Sequence, residues 1–497
     1  MDIKPDIETA EDREESVSLM EPMLIGESSR ERAELTDLAL ELVQKSAGFR
    51  RSLPESMLGS LATLVRAMNC YYSNLIEGHD THPVDIERAL KNDYSTDARK
   101  RYLQMEAKAH IAVQKWIDEG GLWGRAPSSD GIREVHARFC EQLPEELLWV
   151  EDPKTKKRLR VRAGELRHCD VQIGRHIPVS PGAVPRFLAR YEEVYGHLNK
   201  TEFILACAPM HHRLAWIHPF LDGNGRVARL ISHAMLLETL DTGAVWSVAR
   251  GLGRNVDVYK GHLAACDAVR RNDLDGRGHL SQEALGKFAD FFLRACIDQV
   301  AFMEDLMQPD RLRARILLWA EEEIRLGSLP RKSGSVLEAV LYRGELPRGE
   351  VAGIVGAGER HGRRIVSALV DRGVLVSESS RAPLRLVFPG ALASRWMPGL
   401  FPEKAGGDMN RELKFVEGGE RFIFDREVVV FWGQDATKRV RCEISREALD
   451  DHFKGDNKDK LEVFKANRPA IEDIARRKYL AGQTEADGSL LIRTLEV

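Results

Sequence analysis

The sequence predicts a mainly α-helical domain that contains one β-hairpin and is followed by two smaller C-terminal domains. Three patterns lead to this fold class. Apolar residues recur at spacings of three and four through most of residues 35–306, which is typical of packed helices. Polar and apolar residues alternate around Gly174, which predicts a hairpin. After residue 332 the helical segments become short, glycine-rich turns separate them, and strand-like runs follow.

Length and composition limit the classes of protein to consider. A chain of 497 residues has room for two to four domains, and 43% hydrophobic with 30% charged residues is ordinary for a soluble globular protein. The net charge of −4 gives no overall attraction to nucleic acid or acidic membranes. No apolar run approaches the roughly 20 residues of a membrane span. The seven cysteines are scattered, so we expect a reducing, cytoplasmic compartment in a bacterium and no membrane partner.

The first segment, residues 1–27, is acidic and has no apolar core. It therefore does not have the pattern of a secretory signal. Its composition predicts a disordered N-terminus.

A helix predicted from Leu61 onward ends in the sequence Ser73-Asn-Leu-Ile-Glu77-Gly78. Ser73 and Glu77 are four residues apart and share one helix face. Gly78 is typical of a helix C-cap. Taken alone, the segment is an ordinary polar helix end.

The predicted hairpin runs from residue 168 to residue 178 and turns at Gly174. Its apolar positions are Val171, Ile173 and Ile177. Alternation indicates only a strand, so a purely structural hairpin stays open. A lone histidine in a hairpin is usually a surface residue, and we assign His176 no role.

The most informative stretch is His218-Pro-Phe-Leu-Asp222-Gly223-Asn224-Gly225-Arg226-Val-Ala-Arg229. Gly223 and Gly225 permit backbone angles that let successive N–H groups form an anion nest. The run that follows is apolar at helical spacing, so the nest would lie at a helix N-terminus, which favours phosphate. A lone Gly-x-Gly pair would be a weak signal, but here six typed positions share one window.

The other polar residues of this stretch suit the remaining parts of a nucleotide. Arg226 and Arg229 lie three apart on one helix face. Asp222 is able to hold a hard cation such as Mg²⁺ against phosphate oxygens. His218 is able to take a proton near neutral pH.

This stretch resembles the signature of the Fic family, His-x-Phe-x-Asp/Glu-Gly-Asn-Gly-Arg-x-x-Arg, without a departure. Fic proteins transfer AMP from ATP to a hydroxyl side chain of a target protein. The resemblance implies that His218 deprotonates the attacking hydroxyl, that Asp222 holds Mg²⁺ on the α and β phosphates, and that Phe220 anchors the loop. It also implies that the phosphates are cradled or oriented by Gly223, Asn224, Gly225, Arg226 and Arg229.

Two further implications follow from the same resemblance. Relatives that phosphorylate their targets carry lysine at the position of Gly225, which argues for AMP transfer. The segment from Ser73 to Gly78 resembles the Fic inhibitory helix, in which the glutamate pairs with the second motif arginine. We therefore hypothesise that Glu77, placed with the help of Ser73, restrains the enzyme through Arg229 and blocks the seat of the γ-phosphate.

The resemblance covers residues 28–312, and it implies a mainly α Fic fold with a β-hairpin flap. In the family this flap docks the target chain by strand addition, so we expect residues 171–177 over the mouth of the site. The segment with Tyr259 and Leu263 would border the adenine pocket. Plain helix packing is the alternative explanation for those two residues.

Residues 313–403 have the order of a winged helix-turn-helix. Helical segments are predicted at 335–342, 348–355 and 359–371, with strands at 374–377 and 384–388. The third helix and the wing contain Arg360, Arg363, Arg364, Arg372, Arg381 and Arg385. Clustered arginines on such a helix suit a phosphate backbone, so DNA is a candidate partner. Packing on the Fic core or binding a protein remains the alternative.

Residues 404–410 contain Gly-Gly-Asp and are predicted as a linker, and residues 409–497 as a small α+β domain. This domain resembles a bacterial family of unknown function. The expected partners of the whole chain are ATP with Mg²⁺ and a protein that presents a hydroxyl side chain. DNA and a second copy of the chain, as a homodimer, are further candidates. A DNA-binding regulator with a nucleotide-sensing Fic core and an enzyme that removes AMP are the alternative functions.

Overall fold

The computed structural model describes residues 10–27, 29–79, 81–151, 156, 158–402, 413–415, 418–434, 439–453, 455–456, 458–480 and 489–494. The chain forms two compact units, 1–401 and 402–497. None of the helices in the described ranges is both long and apolar enough to cross a membrane.

The first unit consists mainly of helices that share one hydrophobic core. Up to residue 325 its helices are α1 (Arg32–Ser52), α2 (Glu55–Ile76), α3 (Pro83–Leu90), α4 (Ala98–Asp118), α5 (Ser129–Cys140), α6 (Val184–Tyr195), α7 (Lys200–Ile217), α8 (Asn224–Leu240), α9 (Ala249–Arg254), α10 (Val256–Cys266), α11 (Gln282–Leu306) and α12 (Pro309–Arg325). Helices α7 and α8 pack against each other and are buried along most of their length. The loop between them, residues 218–223, and the first turns of α8 contain the residues of the predicted nucleotide site.

The prediction of disorder for residues 1–27 is wrong where the structure describes them, at 10–27. Met20, Met23 and Ile25 are buried in the core of the first unit. The acidic side chains find arginine partners on α6, since Asp12 pairs with Arg186 and Glu21 with Arg190, each at 2.8 Å. The composition of residues 1–27 predicted disorder, because composition does not show that arginines elsewhere in the chain pair with these acidic side chains. Residues 1–9 lie outside the described residues.

The predicted hairpin around Gly174 is much shorter than expected. Ile173 and His176 form a single antiparallel bridge, with both backbone N–H···O distances at 2.9 Å. Gly174 has a φ of 59°, which fits its place in the turn. A regular two-stranded antiparallel hairpin lies earlier in the chain, as β1 (Trp149–Glu151) and β2 (Arg158–Arg160), and the sequence did not predict it.

Residues 333–388, called the winged segment below, follow in the predicted order of elements. They form α13 (Ser333–Arg343), β3 (Glu345–Leu346), α14 (Val351–Val355), α15 (Glu359–Asp371), β4 (Leu375–Val376) and β5 (Leu384–Leu386), and α16 (Ala393–Trp396) follows. The antiparallel sheet has the order β3-β5-β4, and β3 was not predicted.

The winged segment is not separate from the helices before it. The boundary predicted between residues 312 and 313 falls inside α12, which buries Leu312, Ile316 and Trp319. The ring of Trp319 contacts that of Trp396 edge to face, with centroids 5.2 Å apart. Further along, Phe401 contacts Tyr71 of α2 at 5.6 Å. One hydrophobic core therefore continues from the helical domain through the winged segment.

The second unit is a sheet covered by helices, with its own hydrophobic core. Its elements are β6 (Lys414–Phe415), β7 (Arg421–Ile423), β8 (Val428–Gln434), β9 (Arg439–Ser445), α17 (Arg446–Phe453), α18 (Lys460–Ala466), α19 (Arg468–Leu480) and β10 (Leu490–Ile492). The strand order is β10-β9-β8-β6, β7 also pairs with β8, and β10 runs parallel to β9. The helix predicted over 460–479 breaks at Asn467, because Pro469 suits the first turn of a new helix but not a helix interior. The linker predicted at 404–410 lies outside the described residues.

Candidate functional site

The loop from α7 to α8 holds His218 in an unusual backbone conformation. His218 ends α7 with φ 51° and ψ 63°, the left-handed region that a residue with a Cβ seldom adopts. Such a conformation costs about 1–3 kcal/mol and persists only when its surroundings enforce it.

Arg167 supplies much of that enforcement. Its Nε donates to the carbonyl of His218 at 2.8 Å, and its backbone N–H donates to the carbonyl of Pro219 at 2.9 Å. Other guanidinium nitrogens donate to the carbonyls of Cys169 and Val179. Burial lowers the pKa of Arg167 to about 10, so the side chain still carries its charge at neutral pH. One buried cation thus ties the loop of residues 218–223 to the segment that leads into the predicted flap.

Asn224 closes the same loop from the other end. Its Oδ1 accepts a bond from the backbone N–H of Phe220 at 2.9 Å, and its Nδ2 donates to the Phe220 carbonyl at 2.8 Å. The Phe220 ring is fully buried and stacks on the His136 ring, with centroids 3.9 Å apart and planes within 3°. The side chain of Asn224 therefore shapes the loop, which leaves only its backbone to face a ligand.

The side chain of His218 has the protonation state of a base. Its Nδ1 lies 3.3 Å from the carbonyl of Ala215. A carbonyl only accepts, so Nδ1 carries the hydrogen and Nε2 keeps its lone pair. Burial lowers the pKa of His218 to about 4, and the imidazole is therefore neutral at pH 7.

The N-terminus of α8 offers backbone donors. Gly223 precedes the helix with φ 81° and makes no side-chain cap. The first N–H groups of a helix have no partner within it, and together with the helix dipole they favour an anion. Asp222, next to this turn, is exposed. An exposed carboxylate beside a phosphate-binding turn suits Mg²⁺, which is commonly held by one or two carboxylates plus substrate phosphates.

Glu77 pairs with Arg229 in the arrangement that the sequence predicts. Arg229 Nη2 donates to Glu77 Oε1, and Arg229 Nε donates to the hydroxyl of Ser73 at 2.9 Å. Burial acts to raise the pKa of Glu77, but the charge and hydrogen bond of Arg229 outweigh it and hold that pKa below its usual value. A Cβ at Gly225 would collide with the Glu77 carboxylate, so Glu77 lies directly over the Gly225 backbone.

Gly78 ends α2 in the way predicted for a C-cap. It has a φ of 83°, and the N–H of His79 donates to the carbonyl of Asn74 at 2.8 Å. This is the Schellman pattern of a helix end.

Arg226 is held by two residues that the sequence did not indicate. Its Nη2 lies 3.1 Å from Oε2 of Glu106 on α4, and Nδ1 of His79 lies 3.0 Å from the same oxygen. The hydrogen bond to Glu106 raises the pKa of His79. No short motif contains Glu106, which explains why the sequence did not reveal it.

Tyr259 is placed differently from the expected adenine pocket. It is buried, and its hydroxyl lies 2.6 Å from Nε2 of His211, whose Nδ1 lies 2.8 Å from the hydroxyl of Ser232. Burial raises the pKa of Tyr259 to about 12, although the positive charge of Arg229 acts to lower it. Leu263 is half-buried against the core. Tyr259 thus belongs to a buried polar network behind Arg229.

Two of the three predicted flap residues are exposed. Ile177 is 68% and Ile173 40% exposed, while Val171 is half-buried. His176 has a structural role that the sequence did not suggest. Its Nε2 donates to the carbonyl of Trp216, at the end of α7, at 2.8 Å. The turn is therefore tethered two residues before His218.

The arginines of the winged segment form a second candidate site on α15 and the wing. Arg360, Arg364 and Arg381 are exposed. The others pair with acids, since Arg363 contacts Glu359, Arg372 contacts Glu323, and Arg385 contacts Glu345 and Glu378. The positive charge of this surface is therefore partly neutralised.

Comparison with known proteins assigns the central and C-terminal regions. Residues 127–236 match the model of the Fic/DOC family, and residues 413–492 match that of a protein of unknown function (DUF1488). The protein adenylyltransferase Fic of Drosophila erecta is 35% identical over 169 residues, which are 34% of this chain and 31% of the relative. That of Culex quinquefasciatus is 39% identical over 198 residues, 38% of this chain and 34% of the relative.

The chain thus spans about a third of the length of these curated relatives. A solved Fic family protein from Desulfovibrio desulfuricans G20 aligns with a TM-score of 0.44 at 16% identity, over 73% of this chain and 98% of that one. Residues 127–236 are therefore similar to the Fic/DOC family, and residues 413–492 are similar to DUF1488 proteins.

Proposed function

We propose that the chain transfers AMP from ATP to a hydroxyl side chain of a protein, and that Glu77 restrains this activity through Arg229. The observation that carries the proposal is the position of the Glu77 carboxylate. It occupies Arg229 and lies over Gly225, at the helix N-terminus suited to phosphate. Curated relatives that match this region are named protein adenylyltransferases.

The proposed reaction uses the neutral imidazole of His218. The hydroxyl oxygen of the target attacks the α-phosphorus, and a new O–P bond forms. The bond from the α-phosphorus to the bridging oxygen breaks, and pyrophosphate leaves. The hydroxyl proton passes to Nε2 of His218, whose Nδ1–H is directed at Ala215. The negative phosphates would raise the pKa of His218 from its low value toward neutrality.

Mg²⁺ would be held by Asp222 and would neutralise phosphate charge when bound. The described residues contain no group of three or more His, Cys, Asp or Glu side chains able to hold a metal ion. A site that takes most of its ligands from the nucleotide is compatible with this composition.

The flap would bring the target to His218. Ile173 and Ile177 present apolar surface, and the His176 tether fixes their distance from the loop. An extended target segment could pair with this turn, with side chains packing on the two isoleucines.

The test compares the wild type with Glu77→Gly and His218→Ala, using ATP labelled on the α or on the γ phosphate. We expect Glu77→Gly to raise protein-bound α-label at least about tenfold, because Arg229 becomes free for the nucleotide. Combining it with His218→Ala should abolish the label. Retention of γ-label instead of α-label would identify phosphate transfer and contradict the proposal.

Glu119 provides a matched control. Like Glu77, it ends a helix, α4, and is followed by a glycine with positive φ, but it is exposed and 3.7 Å from Lys115. Glu119→Gly should leave labelling at the wild-type level. An equal rise with Glu119→Gly would mean that loosening any helix end suffices. Loss of AMP from labelled Glu77→Gly protein on adding the wild type would identify removal of AMP as an activity of the chain.

DNA binding by the winged segment is a second candidate. Arg360, Arg364 and Arg381 are exposed on α15 and the wing. A gel shift with mixed genomic fragments tests it, and retention should fall steeply as salt rises. No retention at low salt would contradict DNA binding. Equal retention when all three arginines are replaced by glutamine would contradict DNA binding through this surface.

A further inference from the structure

Arg226 differs from Arg229 in how much of its guanidinium is used. Arg229 donates through Nε to the Ser73 hydroxyl and through Nη2 to Glu77 and to the Ser73 carbonyl. Arg226 donates through Nη2 to Glu106, while its Nε is buried and has no partner among the described residues. A buried donor without an acceptor is unfavourable, so Arg226 is prepared for an acceptor from a ligand.

The surroundings of Arg226 hold the guanidinium in one place. Glu106 Oε2 is bonded by Arg226 Nη2 at 3.1 Å and by His79 Nδ1 at 3.0 Å, and these two nitrogens lie 3.2 Å apart. The ring of Phe139 lies 5.2 Å from the Arg226 guanidinium carbon. A cation that is fixed by a charged hydrogen bond and an aromatic ring loses little freedom when it binds phosphate.

The two carboxylates also differ in their freedom to move. The Glu77 side chain is 36% exposed and lies at the end of α2, where a short loop begins. The Glu106 side chain is 11% exposed and lies within α4. A loop movement can therefore carry Glu77 away from its arginine, whereas the backbone of Glu106 is held within a helix and its side chain is largely buried.

We propose that Glu106 is a positioning residue for Arg226, which it anchors through Nη2 so that the remaining guanidinium N–H groups meet a nucleotide phosphate. This inference rests on the proposed function. Nδ1 of His79 bonds the same oxygen of Glu106 and lies 3.2 Å from Arg226 Nη2. The two acid–arginine pairs then have opposite effects, since Glu77 withdraws Arg229 from the nucleotide and Glu106 prepares Arg226 for it.

The test is calorimetric binding of Mg-ATP and of adenosine to the full chain carrying Glu77→Gly, with and without Glu106→Gln. We expect Glu106→Gln to weaken ATP binding about tenfold and to raise the KM for ATP, because an anchored charge is lost while the side-chain shape is kept. Adenosine has no phosphate, so its affinity should change less than twofold. A purely structural role would weaken both ligands together.

Glu134→Gln is the matched control. Glu134 lies on α5, and its carboxylate is 2.8 Å from Nη2 of both Arg125 and Arg138. Neither arginine lies in the loop of residues 218–223 or at the start of α8. Glu134→Gln should leave both affinities unchanged. Unchanged or tighter ATP binding by Glu106→Gln would overturn the inference, as would an equal loss for adenosine. ATP binding without AMP transfer would count against the proposed function alone, whereas a Glu77→Gly protein that binds no ATP would overturn both.

Discussion

At the scale of residues, the loop 218–223 is held by polar side chains that bond to backbone groups rather than to one another. Asn224 bonds both polar groups of the Phe220 backbone, so exchanging its amide for a carboxylate would set two acceptors face to face. Arg167 likewise bonds to backbone groups, but it reaches more of them than Asn224 does. It satisfies carbonyls of the loop, of the segment before the flap and of the C-terminal end of α7.

Replacing Arg167 with methionine should therefore harm both stability and activity. Buried carbonyls without donors cost about 1–3 kcal/mol each, so we expect a loss of at least about 2 kcal/mol in the free energy of unfolding. His218 would lose the bond that holds its carbonyl, and a displacement of about 1 Å can lower a rate about 100-fold. Denaturant unfolding and AMP transfer, both in the Glu77→Gly background, measure the two effects.

Arg133→Met is the control for this change. Arg133 is exposed and donates from Nε to one carbonyl, that of Gly164, at 2.9 Å. It should lower stability by less than about 1 kcal/mol and leave transfer intact. Full activity in Arg167→Met would mean that His218 keeps its conformation without Arg167.

How far the sequence predicts the site depends on the separation of the residues in the chain. His218, Arg229 and Glu77 lie in motifs with short, fixed spacing. Arg167 reaches His218 across 51 residues, and Glu106 reaches Arg226 across 120. Such contacts follow from helix packing, and a single sequence contains no spacing that records them.

At the scale of elements, the C-terminus of α2 determines where Glu77 can lie. Gly78 has a φ of 83°, and a Cβ added there would have no atom within 4 Å. The only cost of a side chain at this position is therefore backbone strain, which is about 1–2 kcal/mol for a residue with a Cβ. Relief of this strain would move the neighbouring Glu77.

Gly78→Ala should thus release part of the inhibition that we propose for Glu77. We expect a severalfold rise in AMP transfer, smaller than the rise caused by Glu77→Gly, as measured by α-label on the protein. Gly120→Ala is the control, because Gly120 follows α4 with a φ of 86° and also has open space around its Cα. Both variants should lose similar stability. If both raise transfer equally, general loosening rather than the position of Glu77 is responsible.

The elements that the sequence predicted less well are those that depend on partners. Helix α15 was predicted at its observed bounds, because its apolar face repeats regularly. The turn at Ile173–His176 is shorter than its alternating pattern suggests. It is held by the His176 bond to α7 rather than by a long ladder, and alternation does not reveal such a tether.

At the scale of the whole molecule, the first unit has one hydrophobic core that extends from Met20 to Phe401. Arg250 donates to the carbonyl of Gly399 at 2.8 Å and lies over the ring of Phe302. With the contact of Tyr71 to Phe401, these interactions join the residues that follow the winged segment to α9 and to α2, the helix that ends at Glu77. The sequence predicted a separate domain because helical segments become shorter after residue 332. Segment length reflects local structure and does not show whether the segments pack on the preceding helices.

The same core contains several histidines whose protonation should limit stability in acid. Burial lowers the pKa to about 3 for His110 and His211, and to about 4 for His136, His212 and His218. In the unfolded chain each has a pKa near 6.5, so between pH 6.5 and about 4 the unfolded state binds protons that the folded state does not. Their contribution to stability is therefore complete above pH 6.5 and is lost as the pH falls. His79 acts in the opposite direction, because Glu106 raises its pKa.

His110 allows this prediction to be tested at one residue. It is buried on α4, and its Nδ1 has no hydrogen-bond partner among the described residues. One such group removes about 2 kcal/mol between pH 6.5 and 4.5, so His110→Gln should reduce the acid loss of the free energy of unfolding by about that amount. Urea unfolding across this range measures it, with the same substitution at exposed His197 as the control. A pH dependence that is identical in His110→Gln and the wild type would show that His110 is protonated in the folded state, with water or a rearranged partner accommodating its charge.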